Sequence, residues 1–147
     1  MKSFLHAAFG TIALFLIASF FVSTAVSELF LDQSAVAFVK RSIVQGLFFL
    51  IPILALTALS GMLLGKGQKE RLLERKRARM RLIAANGLLV LLPSALYLNG
   101  KAGAGQFDTS FYTVQSIELI VGVVQMMLLA LNFRDGLRLS GKLRSVF

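Results

Sequence analysis

The polar residue that costs most where it lies is Glu118. It falls about eight residues into an apolar block that begins near Phe111, roughly 10 Å from the block's end at about 1.5 Å per residue. An ionised carboxylate at that depth in a bilayer is expensive, so it must be protonated, paired or in contact with a wet cavity. Gln115, Glu118, Gly122, Gln125 and Asn132 follow one another at steps of three, four, three and seven. Those steps keep them on one face of a helix. Ile120, Val121, Val124, Leu128 and Leu131 fall elsewhere on it. A polar stripe of this kind must face other helices rather than lipid. Two kinds of chemistry fit it: a pathway or pocket with Glu118 as the proton- or cation-responsive group, or interhelical hydrogen bonding that only holds a bundle together.

Partners for the stripe are sought on the other apolar blocks. Lys40 and Arg41 are candidate counter-charges for Glu118, because long basic side chains reach along an apolar surface. Gln45 and Gly46 sit nearby in sequence. Asn86 joins the candidate polar set from the third block, with Gly87 beside it and Pro93 further in. Pro93 leaves the carbonyl of Leu89 without its helical donor and permits a kink. Pro52 does the same in the second block.

Other chemistries find less material. The chain has no Cys and one His, which removes disulfides, thiolate nucleophiles and any multi-His metal site within one chain. His6 is a candidate axial ligand to a haem, and a second ligand of the same type would have to come from another subunit. The plainer expectation for His6 is an interfacial polar residue in a first helical turn. No nucleophile–base constellation is present, so an enzymatic reading has little support.

Four elements must position these groups. The 147 residues are 56% hydrophobic, and the charges fall almost entirely between four long apolar blocks, at about 4–26, 43–64, 82–98 and 111–131. A bilayer-spanning helix needs roughly 17–25 apolar residues, so each block qualifies. The expected fold is therefore all-α: one domain over 1–147, an integral membrane bundle of four transmembrane helices. Block one also has the features of a secretory signal, with cleavage before Glu28, although its apolar stretch is longer than such signals carry. Small residues give packing faces: Thr57, Gly61 and Gly65 on the second helix, and Ser19, Ser23 and Ser27 on the first. Asp108 or Thr109 is expected to cap the fourth helix, and Gly136 to close it with a left-handed turn.

Charge sets the expected orientation. The basic loop 65–81, the C-terminal tail with Arg134, Arg138, Lys142 and Arg144, and Lys2 hold thirteen of the sixteen Lys and Arg. Lys40, Arg41 and Lys101 fall on the other side. This asymmetry predicts both termini and the basic loop in the cytoplasm, in a bacterial-type inner membrane. The same bias explains the net charge of +9 without nucleic-acid binding. The basic loop is free of Gly and Pro from Gln68 to Arg81 and is able to form a helix facing anionic lipid headgroups.

Over a few residues only, the Arg-rich segment followed by Asn86 and Pro93 resembles the eicosanoid and glutathione membrane enzymes. Leu89 stands where their acidic residue is expected, so the resemblance implies no activity here. The expected role is a transport-related or complex-associated subunit that acts as a homo-oligomer or with a membrane partner. The alternatives are a redox subunit holding haem or quinone, and a purely structural assembly subunit.

Overall fold

The structure, a computed structural model, describes residues 1–67 and 71–139. The described residues form helices and no strands: α1 (Lys2–Phe30), α2 (Gln33–Leu64), α3 (Arg71–Asn86), a π-helical turn (Gly87–Leu91), α4 (Leu92–Gly103) and α5 (Thr109–Leu139). α3, the π turn and α4 make one continuous rod, so four rods in all are long and apolar enough to cross a membrane.

The rods are longer than the apolar blocks. α1 has 29 residues, α2 has 32, the third rod 33 and α5 31. At about 1.5 Å per residue a 30-residue helix is ~45 Å long, more than a bilayer's hydrocarbon core. The difference lies at the ends, where charged residues break the hydropathy pattern but not the helix. The stretch from Ser27 to Arg41, which lies between the first two apolar blocks, is almost wholly helical. Only Leu31 and Asp32 connect α1 to α2. Leu31 is extended (φ −116°, ψ 172°), and Asp32 caps α2 by accepting from the Ala35 N–H at 2.9 Å. The basic loop likewise becomes the first turns of α3 from Arg71 onward. Gln68, Lys69, Lys142 and Arg144 lie outside the described residues.

Pro93 shapes the third rod. A proline cannot donate to the carbonyl four residues back, and its ring crowds it. The chain answers with the π turn just before it, in which the Leu92 N–H donates to the Gly87 carbonyl five residues back. α2 continues helical through Pro52. α4 ends at Gly103, and Gly105 turns the chain with φ +71°, a conformation that suits a residue without Cβ. Asp108 then caps α5, accepting from the Phe111 N–H at 3.0 Å. Gly136, expected to end α5, lies inside it, because the helix runs on to Leu139.

The rods pack as a ring. α1 lies along α2, α2 against α4, the third rod against α5, and α5 against α1. α2 and α5 therefore sit on a diagonal, as do α1 and the third rod. One end of the ring carries the two short turns and is called the loop end here; the other, with the basic start of α3, is the basic end. A small apolar core closes the loop end: Val36, Leu98, Ala102 and Phe111, with Phe107 set edge-on to Phe111 at 4.9 Å. Outward, the rods present Phe15, Phe38, Phe48, Phe49, Leu89, Ile120 and Met127. An apolar exterior around a partly polar interior inverts the pattern of soluble proteins and suits a hydrocarbon surround.

The small-residue face of α2 is used within the chain. Thr57 and Gly61 lie against Gly10 and His6 of α1. Two further glycines admit aromatic rings: Phe20 at Gly46 and Phe21 at Gly122.

Candidate functional site

α5 turns its polar stripe inward. Gln115, Gln125 and Asn132 are buried, while Ile117, Ile120, Val123 and Met127 on its other sides are exposed. The stripe is longer than the spacing argument drew it, continuing through buried Asp135. It meets partners at both ends of the ring.

At the loop end Lys40 crosses the diagonal from α2. Its Nζ lies 2.8 Å from Glu118 Oε2, and the Gln115 amide donates to the same oxygen at 2.9 Å. Lys40 is 1% exposed and Glu118 14%. Two ions removed from water in this way are held by their attraction and hydrogen bonds, and loss of one strands the other. Of the two candidate counter-charges, the structure brings only Lys40 to the stripe. Arg41 points outward and is exposed, as is Gln45. A third charged group is present just beyond the first apolar block. Glu28, in the last turn of α1, sits within the electrostatic reach of both Lys40 and Glu118. Its Oε1 is buried and has no hydrogen-bond partner among the described residues; neither has Gln115 Oε1.

At the basic end Arg79 of α3 reaches Asp135 Oδ2 at 2.8 Å and Asn132 Oδ1 at 3.2 Å. Adjacent residues on a helix do not face each other, yet Arg134 folds back onto Asp135 Oδ1 at 3.3 Å through both Nε and Nη2. Its flexible stem and the fixed position of Asp135 make that possible. Lys76 adds its charge near Asp135 and His6, and Arg77 donates to the Gly65 carbonyl at the end of α2. Between the two ends Gln125 donates to the Ile83 carbonyl at 3.0 Å. Asn86 is half-buried and makes no side-chain bond to the stripe among the described residues.

His6 links α1 to α2. Its Nδ1 lies 2.9 Å from Ser60 Oγ and 3.1 Å from the Thr57 carbonyl. Ser60 gives its own proton to that carbonyl, so Nδ1 is assigned as the protonated nitrogen. The ring packs on Gly61.

A separate polar knot sits on the loop-end rim. Lys101 Nζ lies 2.6 Å from Asp108 Oδ2, and Ser110 donates to Oδ1 at 2.7 Å. The Lys101 bond, reinforced by Ser110 and the Phe111 N–H, holds the Asp108 carboxyl well below the usual carboxylate range. Tyr97 joins it through Ser110 at 3.1 Å. No group of three or more metal-binding side chains occurs among the described residues.

Comparison with protein-family models, curated proteins and solved structures returned no match. The functional reading therefore rests on the geometry above.

Proposed function

We propose that this chain is a transport-related subunit of a bacterial-type inner membrane, with both termini cytoplasmic and the inward face of α5 as its working surface. The observation that carries the reading is the Lys40–Glu118 pair. Apolar side chains of similar volume commonly hold such a position as well as a buried ion pair or better, so charge at the centre of the ring is costly as mere glue. The polar groups extend from Gln115 to Asp135, about 30 Å along the helix, which matches a hydrocarbon core. Asn132 Nδ2 and Gln125 Oε1 also lack protein partners among the described residues, and buried polar groups of this kind bind water or ligand.

Four helices enclose little space, so the reading includes a homo-oligomer or a membrane partner. In support, the small residues of α1 not used inside the chain, Ser19 and Ser23, line an open groove of about 390 Å³ with Phe15, Ala18 and Val22. The basic start of α3 is suited to anionic headgroups.

The test is proton flux in proteoliposomes driven by a pH gradient. Wild type should conduct above protein-free vesicles. The Lys40→Met/Glu118→Gln double variant, which leaves neither ion stranded, should fold and lose that flux. A double variant that folds and conducts like wild type would show the pair to be structural, and the assembly-subunit reading would replace this one.

A further inference from the structure

The loop-end cluster contains more negative charge than it can balance. Glu28 comes from α1, Lys40 from α2, and Glu118 from α5. With all three ionised the cluster carries one net negative charge around a Lys40 side chain that is 1% exposed. Its hydrogen bonds are unbalanced in the same sense. Lys40 and the Gln115 amide both donate to Glu118 Oε2. Glu28 Oε1 and Gln115 Oε1, both buried, are left as acceptors with no donor among the described residues. Gln115 is only 3% exposed, so bulk water does not serve it. An unmet buried acceptor costs more than an ordinary hydrogen bond returns. One proton on Glu28 removes the net charge and turns one of the two unmet acceptors into a donor.

We propose that Glu28 binds one exchangeable proton at the loop end of the ring, beside the Lys40–Glu118 ion pair. A proton fits better than a metal cation. It resides on a single carboxylate oxygen, whereas a metal ion needs several oxygens and would sit against the Lys40 ammonium. Glu28 is two residues from the end of α1, so it is the member of the cluster nearest the surface and the one a proton reaches first. Release takes the cluster from neutral to one negative charge, and the proton leaves to water at that end. Within the transport reading, on which this consequence alone rests, Glu28 is the loading point and the proton is the species carried. The binding itself is independent of flux.

Infrared difference spectra of the protein in lipid nanodiscs, taken from about pH 9 down to about pH 4, test the assignment; exposed carboxylates begin to protonate only near the lower limit. Wild type should show a protonated-carboxyl stretch that grows as pH falls and shifts in deuterium oxide. Glu28→Gln should lose it. Glu28→Asp should keep it with a moved midpoint, which guards against a loss caused by misfolding. The same band in a folded Glu28→Gln protein, or no titrating band in wild type, overturns the proposal. A band that behaves as expected in a protein that conducts no protons leaves the site standing and removes the transport reading. Flux with a band indifferent to Glu28 does the reverse.

Discussion

Glu118 and Lys40 depend on each other more than either depends on its helix. Replacing Glu118 by Leu leaves the buried Lys40 ammonium without its hydrogen-bonded carboxylate, and breaking a buried pair in this way costs about 3–5 kcal/mol. Adding Lys40→Met removes the stranded charge. The double variant should recover most of the loss, giving a coupling well above the few tenths of a kcal/mol expected for independent sites. Unfolding in a mild detergent across the two single variants and the double measures it. Asp108 behaves differently because it is exposed. Its carboxyl is held below the usual range chiefly by Lys101, so its folded-state affinity for protons is lower than in the unfolded chain. Its contribution is therefore fully present at neutral pH and is lost as pH falls through and below the ordinary carboxylate range of about 4. Asp108→Asn should flatten the acid side of the stability–pH profile and leave the profile near pH 7 parallel to wild type. These residues were not equally legible. Glu118 declared itself because a carboxylate inside an apolar block demands a partner, and Lys40 was within reach. Glu28 and Asp135 did not, because each lies where the hydropathy falls and so passes for the edge of a loop. Asp135 continues the stripe three residues past Asn132, and that step was the available signal. Asn86 and Arg41 were drawn in by residue type and sequence position, but helix rotation sends Arg41 outward.

Helix packing turns on where a Cβ is missing. A Cβ at Gly122 would lie 2.9 Å from the Phe21 ring, closer than such atoms approach. Gly122→Ala should therefore destabilise the bundle by about 1–3 kcal/mol, the usual cost of overpacking, and Phe21→Leu in the same chain should relieve it. Gly100, in α4, has open space where its Cβ would stand. There the same change should be neutral or stabilise by up to about 1 kcal/mol through helix propensity. Thermal unfolding of the three variants separates crowding from propensity. The number and order of helices were readable from block length. Their ends were not, because the helices continue through Lys, Arg and Glu that a hydropathy scan scores as breaks. Pro93 announced a disturbance in the third rod. That it takes the form of a π turn at Gly87–Leu91 depends on how α3 and α4 are each held against α5, which no local pattern encodes.

At the scale of the whole molecule, charge asymmetry and outward-facing apolar side chains point the same way, toward a ring that crosses a bilayer with its two polar clusters at opposite faces. Every functional consequence drawn above requires that arrangement. The chain contains no Cys, so single cysteines can be introduced without first removing others. The direct measurement is labelling of Gln106→Cys and Lys66→Cys proteins in intact cells with a thiol reagent that does not cross membranes. Gln106 lies in the turn between α4 and α5, and Lys66 lies just after α2. The account predicts that Gln106→Cys is labelled from outside, and that Lys66→Cys is labelled only after the cells are opened. Equal labelling of both from outside, or of neither, would contradict it.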